Sequence, residues 1–497
     1  MLKAGVTGKF FHLIKTMYSD TRYSIKTNQG YIESFSSNSG VKQGCNLSPL
    51  LFNIYINDLS ASLYSDPVCL ENSYFNSLLF ADDIVIVSNS KNGLQNSLDK
   101  LHDYCVTWKL NVNINKTKVI IFNKTGKLIE NDFYLGCEQI NVVSSYNYLG
   151  IIFQSSGNFT LAINHLVRKA QRALGALKQT LNLNNCTLCP KNALQLFKST
   201  VLPILMYGSE VWGAFTFKLH KSTQSGEMSK DLFMKKLFND RSLFEQLHIK
   251  FCKQILGVHQ KSSNVAVRAE LGSYPIITEM CTQMLTFITR IEKKDCSELV
   301  HCALLSENKI KGNSSSSFLN KVKDITEDGD TVALDMLNAR TKLKQIYMDE
   351  IYLPTLQKLN SNKLRTYNTI KLSHCFEPYL NLVTNIHHRI SITKFRISAH
   401  TLPIERLRYQ GIPPEERLCT LCSDQTICNE IHALLECNCL EIKKSRVEFL
   451  RSISIYDEDI LKLSKQEMFE KIMSSSDGFI VGSLGKFVNT ILKYNKL

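Results

Sequence analysis

No stretch of the sequence approaches the ~18 uninterrupted apolar residues that a membrane-spanning helix requires, and no membrane role is expected. The N-terminus offers only Phe10 to Ile14 as an apolar core, too short for a signal peptide. No internal repeat of roughly 20–50 residues is present, which excludes a solenoid or array. Acidic residues are in the minority: 45 Asp+Glu stand against 59 Lys+Arg, for a formal net charge of +14. By charge alone, that imbalance favours a polyanionic partner, nucleic acid or a membrane surface, without choosing between them. With neither a spanning nor a secretory signal, an intracellular, reducing compartment follows. There the 16 cysteines read as buried thiols or metal ligands rather than disulfides.

The 497 residues suffice for two to four domains on the length prior. Three polar stretches mark boundaries: Lys221 to Lys230, Lys311 to Ser317 (K-G-N-S-S-S-S) and Thr326 to Asp330. The most chemically pointed stretch is Leu78 to Ser88, L-L-F-A-D-D-I-V-I-V-S. Leu78–Ala81 and Ile84–Val87 are short apolar runs rich in β-formers, and the gap between them is that of a two-residue hairpin turn. An acidic surface turn at Asp82-Asp83 is one reading. A metal site is the other. Adjacent carboxylates repel, and a divalent cation is their natural compensation. Enzymes of two-metal phosphoryl transfer need oxygen ligands of the kind Mg²⁺ prefers.

The neighbours bear on that choice. Upstream, Gly40-Val41-Lys42-Gln43-Gly44-Cys45-Asn46-Leu47-Ser48-Pro49 predicts a Gly-flanked loop opening into a helix. Ser48 is placed to cap it and Pro49 to begin it, and the glycines let backbone approach a ligand. Downstream, Leu94, Leu98, Leu101, Cys105 and Trp108 mark one face of an amphipathic helix. A strand is expected over Thr117 to Phe122, flanked by Lys116 and Lys118. A short hairpin is expected over Tyr146 to Ile151.

In this order the pieces resemble the palm of a reverse transcriptase of the non-LTR, LINE-type retrotransposons. G-V-K-Q-G-C-N-L-S-P-L-L-F resembles motif B of that family, F-A-D-D motif C, N-K-T-K (Asn115 to Lys118) motif D, and Y-N-Y-L-G (Tyr146 to Gly150) motif E, the primer grip. Leu196 to Gly213, Phe244 to Val258 and Lys394 to Arg406 resemble the family's later regions. The implied fold is α+β: a partial palm of mixed helix and antiparallel sheet, then a mostly α-helical thumb and connector and a small Cys/His zinc segment. The divisions expected are a palm at 1–155, a thumb at 156–260, a connector at 261–400 with a flexible stretch near 311–330, a zinc segment at 401–445 and a helical tail at 446–497.

The resemblance further implies metal-dependent nucleotidyl transfer, in which a primer 3′-hydroxyl attacks a deoxynucleotide paired to an RNA template. Asp82 would ligate two Mg²⁺ ions, with Asp83 assisting. Gln43, Gly44, Phe80 and Ala81 would lie near nucleotide and template. Lys116, with Lys118 as competitor, would neutralise charge or supply a proton. Tyr148, Leu149 and Gly150 would support the primer end. RNA template, DNA primer or target, and deoxynucleotides are the implied partners, and the nucleus the implied location. One family part, an F-x-D-x-x-K-A-F-D-like strand before motif B, is not found; the only Asp in residues 1–39 is Asp20. The expectation is a chain beginning inside the palm, with an exposed sheet edge and weak or no polymerase activity by itself. The alternative is a non-catalytic nucleic-acid-binding relic or co-opted protein. An RNA-dependent RNA polymerase shares the palm logic, but F-A-D-D and Y-N-Y-L-G are closer to reverse transcriptase.

Beyond the palm, Ile163, Leu166, Val167, Ala170, Leu174 and Leu177 form a helical stripe, with Arg168, Lys169 and Arg172 off it. Those cations can neutralise phosphates or simply be solvated. Tyr207 and Trp212 read as core. Cys419, Cys422, His432 and Cys437 have the spacing C-x2-C-x9-H-x4-C, that of a closed structural zinc site, with Cys428 and Cys439 as substitutes and reduced thiols as the other reading. Cys186 and Cys189 repeat the C-T-L-C tetrapeptide without a second pair and read as free thiols. Arg389, Lys394, Arg396, Arg406, Arg408 and Arg417 make a basic neighbourhood, and Arg396, Arg406 and Arg408 are the nucleic-acid candidates in it.

Overall fold

In the computed structural model the chain is a mixture of helices and small two-stranded sheets. The structure describes all residues except 20, 38–39, 64–65, 72, 181–188, 218–229, 310–321, 324–335, 358–363, 372 and 496–497. The three expected boundary stretches, Asp20 and Cys186 lie largely or wholly outside the described residues. No helix among them is long and apolar enough to cross a membrane. The chain divides into two compact units. One is Met1–Tyr148 with Phe153–Gly157 and Lys294–Ile310; the other is Leu149–Ile152 with Asn158–Lys293 and Lys311–Leu497.

In the first unit, helix α1 (Ser48–Tyr55) is followed by strands β1 (Ser77–Phe80) and β2 (Asp83–Ile86), then helix α2 (Lys91–Trp108). Helix α2 is the amphipathic helix that the apolar spacing predicts. Ser90 caps it by accepting from the Gly93 amide, and Lys109 ends it in a left-handed conformation. Its buried face, Leu98, Leu101, Tyr104 and Cys105, joins Ile56, Leu59, Leu63, Phe133 and Ile140 in one core. The β1–β2 hairpin lays Leu79, Ile84 and Ile86 on that core and turns Leu78 and Phe80 outward. Side chains alternate across a strand, so a ribbon covered on one face buries only half of its apolar run. Strands β3 (Ser145–Tyr148) and β4 (Ile151–Gln154) form the later hairpin. Leu149 (φ 46°) and Gly150 (φ 83°) fill its turn. Positive φ at both central residues matches the twist of the flanking strands.

Two local expectations are corrected. No strand runs from Thr117 to Phe122; Val119 alone makes a bridge, parallel, to Val142. The Asn113 carbonyl accepts from the amides of Lys116 and Thr117, so the segment leaves a turn and only one residue reaches a partner. Ser48 does not cap α1, which has no side-chain cap. Its hydroxyl donates instead to the Lys42 carbonyl at 2.8 Å.

The second unit is helical. Helix α3 (Thr160–Thr180) buries Leu166, Val167, Ala170 and Leu174. Further on lie α4 (Leu243–Ile255), α5 (Ile276–Glu292), α6 (Met336–Tyr347), α7 (Ile386–Arg396), α8 (Leu440–Ser454) and α9 (Gly478–Tyr494). Trp212 is 1% exposed, as expected of core, but Tyr207 is 51% exposed. Its hydroxyl donates to the Leu149 carbonyl at 2.7 Å, so the ring braces the β3–β4 turn from outside.

Candidate functional site

The β1–β2 hairpin has Phe80 opposite Asp83, so the turn residues are Ala81 and Asp82, one position earlier than the apolar runs suggest. Ala81 takes φ 52°, a strained choice for a residue with a Cβ. The shift puts Asp82 at the tip and Asp83 at the mouth of the strand. Both carboxylates are exposed, as are Phe80 and Ala81. Tyr148 comes from β3, and its phenol is pushed up by burial and by the charge of Asp83. Residues far apart in sequence are therefore brought within electrostatic reach. Among the described residues, Asp82 and Asp83 belong to no group of three or more metal-ligating side chains. Two carboxylates suit a single Mg²⁺, which is commonly held by one or two carboxylates together with substrate phosphates. A two-ion arrangement needs further donors.

The Gln43–Gly44 loop is tied at its base. Ser48 Oγ lies 3.0 Å from the Tyr18 hydroxyl as well as holding the Lys42 carbonyl. The Lys42 ammonium sits 5.5 Å from the Tyr18 ring centroid. Gly44 adopts φ 80° with open space where a Cβ would stand, so its conformation, not crowding, calls for glycine. Gln43 is exposed. Lys116 is exposed and Lys118 half-buried, and the Tyr146 hydroxyl donates to the Lys116 carbonyl at 2.8 Å. Asp66 was not picked out by sequence reasoning. Hydrogen bonds from the Ser88 and Ser90 hydroxyls hold its carboxyl below the usual range and pin the exit of β2 to the cap of α2. No motif signals it.

The Cys/His spacing does assemble. The ligand atoms of Cys419, Cys422, His432 and Cys437 all lie within 4.8 Å of one another. The Cys419 and Cys437 sulfurs are 3.9 Å apart, and Cys422 Sγ is 3.5 Å from His432 Nε2. A tetrahedron with Zn–S bonds of about 2.3 Å and Zn–N of about 2.0 Å has edges of about 3.5–3.8 Å, so these two separations suit zinc and the four donors could hold it. His432 Nδ1 lies 3.0 Å from Thr426 Oγ1, which orients the ring with Nε2 toward the sulfurs, the outer support such ligands need. Thr426 is the residue that spacing alone missed. Cys428 is buried against Cys419, lowering the Cys419 thiol and rising itself. Every described cysteine is free, including Cys189.

The basic candidates divide. Arg168, Lys169 and Arg172 line the exposed side of α3, and Arg406 is exposed. Arg396 is not on the surface: it is 1% exposed, pairs with Glu270 at 3.0 Å and Glu377 at 2.9 Å, and rests on the Tyr379 ring. A guanidinium committed to two carboxylates in a dry interior has nothing left for phosphate. Arg417 is likewise buried, donating to the Ile404 and Ile412 carbonyls. Arg408 is half-buried and pairs with Glu405 at 2.9 Å.

Residues 3–153 match the family model described as reverse transcriptase (RNA-dependent DNA polymerase). The chain is 28% identical over 216 residues to the probable RNA-directed DNA polymerase from transposon BS of Drosophila melanogaster, over 41% of this chain and 23% of that one. It is 30% identical over 162 residues to the retrovirus-related Pol polyprotein from the type-2 retrotransposable element R2DM of the same species, over 31% and 15%. It is 24% identical over 229 residues to the RNA-directed DNA polymerase from mobile element jockey of Drosophila funebris, over 42% and 23%. The chain thus spans less than a quarter of the length of these relatives. Residues 3–153 are thus similar to the reverse-transcriptase family. Its relatives are consistent with the LINE-type resemblance carried by the motifs.

Proposed function

We propose that this chain is the polymerase-type segment of a retrotransposon RNA-directed DNA polymerase, arranged as palm, helical thumb and connector, zinc segment and helical tail. The observation that carries this reading is the β1–β2 turn, which exposes Asp82 and Asp83 on a hairpin anchored to the core, with Tyr148 in electrostatic reach. Asp82 and Asp83 would hold Mg²⁺. When bound, the metal supplies charge neutralisation at the reacting phosphate. The Gln43–Gly44 loop, Phe80 and Ala81 border the nucleotide and template, and Lys116 or Lys118 meets its charge. Tyr148, Leu149 and Gly150 support the primer end, with Tyr207 behind their turn. Arg168, Lys169 and Arg172 contact duplex phosphates, and Cys419, Cys422, His432 and Cys437 hold one structural zinc. RNA template, DNA primer and deoxynucleotides are the substrates, and the nucleus the site of action.

The second reading, a nucleic-acid-binding protein without catalysis, is favoured by the lack of a third ligating group beside Asp82 and Asp83 among the described residues. Primer extension on an RNA template with Mg²⁺, run beside Asp82→Asn, separates the two. Extension lost in the variant supports the enzyme. Tight primer–template binding without extension supports the second reading. Neither extension nor binding overturns both.

A further inference from the structure

A cavity of 340 Å³ opens in the helical unit, apart from every residue assigned above. Helix α5 lines it with Glu279, Thr282, Gln283, Thr286, Phe287 and Arg290; Met206, Glu210 and Arg340 close the other side. The volume is at the small end of the range for ligand sites. Its walls are apolar for a reason. The Thr282 and Thr286 hydroxyls donate back to the Thr278 and Thr282 carbonyls, so they are already engaged within the helix, and Met206 and Phe287 add apolar lining.

The charges at its rim are unequally engaged. Glu279 is taken by Arg340, whose Nε donates at 3.0 Å. Glu210 accepts from Gln283 Nε2 at 2.7 Å, which leaves the rest of the Gln283 amide for a further polar edge. Arg290 has no carboxylate partner among the described residues; its guanidinium lies 5.4 Å from the Phe287 ring centroid. Lys344, one turn beyond Arg340 on α6, is likewise parked on a ring, 5.1 Å from the centroid of Tyr274. Burial and the nearby charges of Arg340 and Lys198 push its ammonium down. A cation held on a ring face gives up little when an anion arrives, because the ring contact is weak beside a contact between opposite charges.

The ligand that answers all of these features has a flat aromatic part, a polar edge and a negative charge. We propose that this cavity receives one nucleotide of a single-stranded nucleic acid, its base against Phe287 and its phosphates against Arg290 and Lys344. A strand is favoured over a free nucleotide because a further cation, Lys198, lies close enough to act on Lys344, where the next phosphate would be met. This rests on the nucleic-acid reading above, but not on the Asp82–Asp83 site.

The test is fluorescence anisotropy on the full chain, with a labelled oligouridylate and a labelled duplex. The variants are Phe287→Leu, which removes the ring and keeps bulk, and Arg290→Glu, which reverses the rim charge; thermal unfolding verifies that both fold. Each is expected to weaken the single strand about tenfold and to leave the duplex unchanged. Wild-type affinity in both variants, or equal losses on single strand and duplex, overturns the proposal. So does displacement of the oligouridylate by stoichiometric uridine monophosphate. If the wild-type chain binds neither probe, the nucleic-acid reading itself fails; if it binds both and the variants match it, only the cavity assignment fails.

Discussion

The acidic hairpin and the Cys/His cluster are both short, local and chemically loaded, yet they are built on opposite principles. Asp82 and Asp83 sit in water on a ribbon that meets the core through one face only. Their exposed side chains lie outside the core that the ribbon covers. The Cys/His donors are mostly buried within 4.8 Å of one another, braced by Thr426 and by the Arg446 guanidinium on the Cys437 carbonyl at 3.0 Å. Their geometry is complete without a substrate. One set of side chains is exposed and the other enclosed, and variants should separate them.

The largest effect belongs to the cluster. Removing zinc with a chelator, or Cys419→Ser, should release one equivalent of metal and open residues 401–445 to protease. Structural zinc contributes on the order of 10 kcal/mol to the fold it organises. Metal analysis and limited proteolysis check this, and a full-length chain equally protected without zinc would break the contrast.

Next is Arg396, where sequence and structure part. Arg396→Ala leaves Glu270 and Glu377 without their shared cation in a dry interior, at a cost of roughly 3–5 kcal/mol, read from denaturant unfolding. The same pairing sets a pH dependence. Burial alone would raise Glu270, but Arg396 and Lys371 outweigh it and hold its carboxyl below the ordinary value. A depressed carboxylate stabilises the fold above the unfolded-state pKa near 4.5 and loses that contribution as pH falls through the folded value. Wild type should therefore lose stability on acidification below about pH 4.5, and Arg396→Ala should lose less over the same range.

That arginine shows what was legible in the sequence and what was not. Periodicity found α2 and α3 because an amphipathic helix states its buried face locally. Ligand spacing found Cys419, Cys422, His432 and Cys437 because a cluster drawn from 19 consecutive residues is likewise local. The apolar runs found the hairpin but missed its register by one residue, since Ala81 rather than an Asp takes the left-handed turn position. Ser48 looked like a cap and instead tethers the Lys42 carbonyl. Arg396 read as a nucleic-acid candidate because its partners, Glu270 and Glu377, come from elsewhere in the chain. The exposure of Tyr207 was equally hidden, as nothing near it in sequence says that the β3–β4 turn lies against it.

A smaller effect is expected at the surface of α3. Charge reversal at Arg168, Lys169 and Arg172 together should weaken duplex binding. It should also flatten the salt dependence, by about 0.9 in log–log slope for each phosphate no longer neutralised. Unfolding should be unaffected, because all three side chains are exposed. The smallest effect is on stability at the hairpin tip: Asp82→Asn should shift the unfolding free energy by less than about 0.5 kcal/mol. A large shift there would mean the pair is structural after all.

The most direct test of the hairpin as a metal site is a Mn²⁺ titration followed by electron paramagnetic resonance, with deoxynucleotide present, on wild type and on Asp82→Asn/Asp83→Asn. The account predicts a saturable Mn²⁺ site in the wild type that the double variant loses while its zinc content stays the same. Mn²⁺ binding that is identical in the two proteins would contradict it.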